Sequence, residues 1–180
     1  MKKNIILLLT LLAPLFMRAQ IGTASSAPDI PLDDKGKIRY VEVAKQEGAQ
    51  KDLFKRCVKW INSEYKNPSS VTPTRDMVNG KIVIRHTFRI YNAAENGVKT
   101  KGGEVLYDFI IRFKDNRYRM EMTNFIVKKT SRTPAEKWLD KSSKDYNPAY
   151  AKQLDEFAHM KMESLKQGMK PEKEYKEEEW

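Results

Sequence analysis

Between Ile38 and Val127 the apolar positions change period, from a strand to a helix and then to a run of strands. Ile38 to Ala44 alternates apolar and polar residues, the period of a half-buried strand. From Gln50 to Tyr65, the residues Leu53, Phe54, Cys57, Val58, Trp60, Ile61 and Tyr65 recur at steps of three and four. That spacing places them on one face of a helix. Asn67-Pro68 stops it, because proline pushes the preceding residue out of the helical region. Four strands are expected next. Val71 to Val78 is short and carries Pro73, so it belongs at a sheet edge. Asn79-Gly80 reads as a two-residue hairpin turn of type I′, which needs positive φ at both central positions. Lys81 to Tyr91, Gly103 to Lys114 and Arg117 to Val127 are the longer strands. A loop with Asn96-Gly97 near its tip joins the first two, and a tight turn at Asp115-Asn116 joins the last two.

The turns fix the registers, and the registers test each other. A two-residue loop at Asp115-Asn116 sets Phe113 opposite Tyr118, Ile111 opposite Met120 and Phe109 opposite Met122. Centring the other loop on Asn96-Gly97 sets Phe88 opposite Val105, His86 opposite Tyr107, Ile84 opposite Phe109 and Ile82 opposite Ile111. Both place the same residues of the shared strand on the apolar side, and a slip of one residue breaks the agreement. The fold class is therefore α+β: a curved antiparallel sheet of about five strands in the order β-α-β-β-β-β-α, with helices on one face. The strand from Ile38 is expected beside Arg117–Val127, with the Pro73 strand at the far edge.

Outside this core the pattern is simpler. Lys2 and Lys3, an apolar run from Ile5 to Phe16 and a small residue at Ala19 form a Sec-type signal, with cleavage near Ala19/Gln20. The run is shorter than the roughly 20 apolar residues of a membrane span. No cysteine follows it to carry a lipid, so the mature chain is expected in the periplasm or outside the cell, with no transmembrane segment. Residues 1–20 read as the signal, 21–37 as a flexible leader, 38–128 as the α+β domain, 129–168 as a linker with a C-terminal helix opened by Pro148, and 169–180 as a charged tail. A short helical candidate lies at Ala135 to Leu139.

The order of elements resembles half of the TATA-binding-protein fold. With the signal, the chain resembles a family of secreted bacterial proteins known as a domain of unknown function with a TATA-binding-protein-like fold. The resemblance rests on Pro31-Leu32-Asp33-Asp34-Lys35-Gly36-Lys37-Ile38, on the helix Leu53-Phe54-Lys55-Arg56-Cys57-Val58-Lys59-Trp60-Ile61, and on Leu106-Tyr107-Asp108-Phe109 and Tyr118-Arg119-Met120. These are packing and turn patterns. They imply a fold and export, and supply no catalytic residues.

Charge changes the picture next. The chain has 34 Lys+Arg against 24 Asp+Glu, a formal charge of +10, and loss of Lys2, Lys3 and Arg18 with the signal leaves +7. That balance weakly favours acidic partners. Cys57 is the only cysteine, which excludes an internal disulfide, and its place on the apolar stripe predicts a buried thiol. His86 falls on the apolar face between Ile84 and Phe88 and reads as a hydrogen-bonded core residue, whereas His159 reads as solvated. Two separate histidines make neither a metal site nor a triad. No cofactor or metal is indicated.

The sheet face opposite the helices is where a ligand is expected. It carries Arg85, Arg89, Glu104, Asp108, Arg112, Arg119 and Glu121, interleaved with Val83, Thr87, Leu106, Ile110, Thr123 and Phe125. Arg85 falls opposite Asp108, and Arg89 opposite Glu104, as paired charges. Arg112 and Arg119 face each other as like charges, with Glu121 diagonal to Arg112. That pair is a candidate site for a carboxylate or another anion. The expected activity is non-enzymatic binding of a protein or an anionic envelope ligand through this face or a sheet edge. Nucleic-acid binding, suggested by fold analogy and charge, stands as one alternative, and a small carboxylate-dependent hydrolase as another.

Overall fold

The computed structural model describes residues 28–92, 94, 98–129 and 131–171. The signal, the tip at Asn96-Gly97 and the tail beyond Pro171 lie outside the described residues. In chain order the elements are β1 (Tyr40–Lys45), α1 (Gln50–Glu64), the single turn α2 (Pro68–Val71), β2 (Thr74–Asp76), β3 (Lys81–Tyr91), β4 (Lys101–Lys114), β5 (Arg117–Lys128) and β6 (Arg132–Pro134). A 3-10 turn at Ala135–Trp138 then leads to α3 (Pro148–Gly168).

The strands form one antiparallel sheet in the order β1-β5-β4-β3-β2, with β6 added beside β5. β1 lies next to β5 and β2 at the far edge, as the pattern predicts. The expected registers hold as well: Ile82↔Ile111, Ile84↔Phe109, His86↔Tyr107 and Phe88↔Val105 in one hairpin, and Phe109↔Met122, Ile111↔Met120 and Phe113↔Tyr118 in the next.

The core lies between one sheet face and the helices. α1 buries Leu53, Phe54, Cys57, Trp60 and Ile61. Its rings meet the sheet edge to face, Phe54 on Phe113 at 5.6 Å and Trp60 on Phe109 at 6.3 Å. α3 adds Leu154, Ala158, Met162 and Leu165, and Phe157 stacks on Phe88 at 3.9 Å. Each fully buried Leu, Ile, Phe or Met side chain contributes about 1.5–3 kcal/mol of apolar burial. The two helices approach closely at Gly168, where an added Cβ would fall 2.4 Å from the Trp60 ring.

Four local expectations need correction. Val71 to Val78 is not one strand: Pro68 opens the turn α2, whose last residue is Val71, and only Thr74–Asp76 pairs with β3. The loop from β2 to β3 spans Met77 to Gly80, with Gly80 alone at positive φ (57°), so the two-residue type I′ turn is not formed. Asp76 braces this loop by accepting a hydrogen bond from the Asn79 backbone N–H at 2.9 Å.

The third correction concerns Phe125. The β4–β5 register passes from Asp108↔Thr123 to Leu106↔Ile126, so Asn124 and Phe125 together oppose Tyr107. This is a β-bulge, with Asn124 in the left-handed region at φ 59°. The extra residue reverses the parity of the strand. Phe125 therefore points toward the helices, 1% exposed, against the Tyr40 ring at 6.1 Å. The fourth is His86. It lies on the helix side, yet in the gap between the end of α1 and the side of α3, and its ring is exposed beside Tyr65 at 5.3 Å. Partial desolvation against its neighbours, and then the Lys161 charge, lower its pKa.

Candidate anion-binding face

The open face is laid out in cross-strand rows by the pleat of β1, β5, β4 and β3. One row runs Val43–Arg119–Arg112–Lys81, and the row beside it runs Lys45–Arg117–Lys114. The next row inward runs Val41–Glu121–Ile110–Val83. Beyond it, Thr123, Asp108 and Arg85 share a row. Six sequence-assigned site residues, Arg85, Arg89, Asp108, Arg112, Arg119 and Glu121, thus lie on one face, but they divide into two groups.

In the first group, Arg85 and Asp108 satisfy each other. Arg85 grips Asp108 with two hydrogen bonds, Nε to Oδ1 at 2.7 Å and Nη2 to Oδ2 at 3.0 Å. Asn124 Nδ2 donates to the same Oδ2 at 2.9 Å. Burial alone pushes the Asp108 carboxyl up, but the hydrogen bonds from Arg85 and Asn124 and the Arg85 charge outweigh it and hold the group below its ordinary range. The bulge residue therefore also orders this ion pair. Arg89 stands opposite Glu104 as expected. Glu104, however, takes its salt bridge from Lys101, at 2.9 Å.

The second group carries an excess of positive charge. Arg112 and Arg119 are direct cross-strand partners. Both turn to Glu121, Arg119 at 3.0 Å and Arg112 at 3.8 Å, and Arg39 reaches the other oxygen of the same carboxylate at 2.9 Å. One carboxylate thus serves three guanidinium groups. The sequence reading missed Arg39. Its signal was the alternation Arg39, Val41, Val43, Lys45, which extends the open-face side of β1 by one step.

A groove of about 330 Å³ opens at this end of the face, lined by Val43, Arg112, Lys114, Arg117, Tyr118 and Arg119. It has four cationic side chains and one exposed aliphatic one, Val43 at 58%. Such a wall attracts carboxylate, phosphate or sulfate groups, and arginine matches their geometry through paired donors.

Two other places compare less well. On the helix side a groove of about 340 Å³ is lined by Lys55, Arg56, Lys59, Gly168, Lys170 and Pro171. Arg56 there is committed to the Glu47 and Met169 carbonyls, at 3.0 and 3.4 Å. A groove of about 240 Å³ contains the carboxylates Asp33 and Glu136 together with Lys37. Glu136 Oε1 accepts the Ile38 N–H at 3.1 Å, while Oε2 is buried without a partner among the described residues. Asp33 accepts the Lys37 and Lys35 backbone N–H groups, which lower its pKa. A general acid needs the opposite shift. Among the described residues no group of three or more His, Cys, Asp or Glu is arranged to hold a metal.

Comparison with known proteins fits the sheet described above. Residues 40–128 match the family described as a domain of unknown function, DUF4468, with a TBP-like fold. That segment is a DUF4468 domain. A crystal structure of a DUF4468 protein from Bacteroides ovatus superposes with a TM-score of 0.65 at 15% identity, over 80% of this chain and 92% of that one. A TBP-like protein from Parabacteroides distasonis gives 0.55 at 14% identity, over 76% and 97%. At these identities the likeness is one of fold. No curated protein matches the sequence. Among the described residues of this DUF4468 protein, no helix is long and apolar enough to cross a membrane.

Proposed function

We propose that this DUF4468 chain is an exported, non-enzymatic binding module that takes anionic partners at the basic end of its open sheet face. The observation that carries the reading is the sharing of Glu121 by Arg39, Arg112 and Arg119 beside the groove. Cross-strand like charges are unfavourable in isolation. An arrangement that gathers three arginines around one carboxylate keeps a net positive site in place. Export is supported by the signal-like residues 1–20. The nucleic-acid alternative draws on fold analogy, which is weak warrant. Stacking of single strands needs rings on the face. Phe125 was the one ring the sequence put there, and it is buried on the other side.

The test is a titration of the protein with inorganic phosphate, a dicarboxylate, an acidic peptide and a single-stranded oligonucleotide, followed by backbone amide shifts. The reading expects shifts centred on Arg112–Arg119 that vanish in an Arg112→Gln/Arg119→Gln variant. Shifts that persist in that variant contradict it. A steep salt dependence seen with the oligonucleotide alone favours the nucleic-acid alternative.

A further inference from the structure

The edges of the sheet are treated differently. β2 is three residues long and follows Pro73, which donates no hydrogen bond. Past β2, the backbone of Tyr91 at the end of β3 is clamped by the Gln153 side chain. Its N–H donates to Oε1 and its carbonyl accepts from Nε2, each at 2.9 Å. The upper part of β5 is covered by β6. Each of these devices blunts an edge against strand pairing.

β1 has none of them. It is terminal in the sheet, contains no proline, and keeps an unbroken register with β5 from Tyr40 to Lys45. Its helix-side residues are anchored, Tyr40 to Asp155 at 2.9 Å and Glu42 to Lys166 at 3.1 Å. Its open-face residues Val41 and Val43 are 45% and 58% exposed. Beside them lie Lys45, Arg117 and Arg119.

We propose that β1 accepts an extended acidic segment of a partner protein as an added strand, with the partner's carboxylates reaching the arginines across Val43. The proposal rests on the open-face reading and names its partner. Side chains of a strand alternate between faces, so every second residue of the added strand shares the open face with Val41 and Val43. Backbone pairing then supplies affinity, and the cation row supplies selectivity for acidic side chains. A second copy of this chain fits worse. Pairing β1 with β1 brings Lys45, Arg117 and Arg119 of both copies to the same seam, as like charges.

The probe is an end-blocked nine-residue peptide alternating glutamate and valine, with a lysine–valine peptide as control. Hydrogen exchange at β1 amides and binding are measured on the protein and on Arg112→Gln/Arg119→Gln, and the acidic peptide is also prepared N-methylated at alternate residues, which keeps its charges and blocks its strand hydrogen bonds. The expected result is at least tenfold slower exchange at outward β1 amides with the acidic peptide. Binding weakens at least tenfold in the arginine variant and for peptide N-methylated along its pairing edge, and the lysine peptide does not bind. Acidic-peptide binding with unchanged β1 exchange, or undiminished by N-methylation along either edge, overturns strand addition and leaves the anion site standing. If neither the peptide nor phosphate nor a dicarboxylate perturbs the Arg112–Arg119 amides, the open-face reading falls with it.

Discussion

Arg112 and Arg119 stand directly opposite each other on β4 and β5, and both guanidinium groups turn to one carboxylate, Glu121. With Arg39 on the same group, the cluster keeps two more positive charges than negative. Glu121→Gln is expected to destabilise the fold by about 1–2 kcal/mol at low salt, because three cations lose their shared partner. The loss should shrink as salt screens the repulsion. Arg112→Gln, which removes one of the crowding charges at 3.8 Å, should stay within about 0.5 kcal/mol of the parent. Urea unfolding at low and high salt checks both.

Asp108 gives a pH dependence of defined sign. Its carboxyl is held below the ordinary range in the folded protein, so folding favours the ionised form. Its contribution is fully present above about pH 4, the unfolded value, and is lost as pH falls through the folded one. Asp108→Asn should cost about 1 kcal/mol at neutral pH, discounted because Arg85 is 54% exposed. The gap between parent and variant should close in acid. Stability measured from pH 7 to pH 3 tests the sign.

Asn124 has two tasks, a left-handed backbone and a hydrogen bond to Asp108. Asn124→Gly keeps the first and loses the second. Asn124→Ala loses both, and the left-handed conformation costs a residue with a Cβ about 1–2 kcal/mol. Urea unfolding should therefore rank the parent above the glycine variant and the glycine variant above the alanine variant.

Cys57 is fully buried on the inner face of α1, and burial pushes its thiol far up. Thiolate is the reactive form. Thiol reagents should leave the native protein unmodified and label it on unfolding in denaturant. Labelling of the native state would contradict the burial.

The sheet was legible because consecutive hairpins over-determine one another. Two turns set two registers, and Phe109 and Ile111 belong to both. The bulge was harder to see, although its trace is in the sequence. Apolar residues fall at Tyr118, Met120 and Met122, then at Phe125 and Val127, a change of parity that one extra residue explains. The exposure of His86 was not legible, since strand alternation gives the face of a residue but not how far the helices above it extend. Of the site, Arg112, Arg119 and Glu121 were readable from register alone. Arg39 reaches Glu121 from just before β1 as assigned, and that contact depends on pairing between strands distant in sequence.

The central claim is that anionic partners bind at the Arg112–Arg119 end of the open face. The most direct measurement is amide shift mapping with the alternating glutamate–valine peptide. The account predicts shifts on Val41, Val43 and residues 112–119, lost in the Arg112→Gln/Arg119→Gln variant. Shifts gathered instead on Lys55, Arg56 and Lys170, across the molecule, would contradict it.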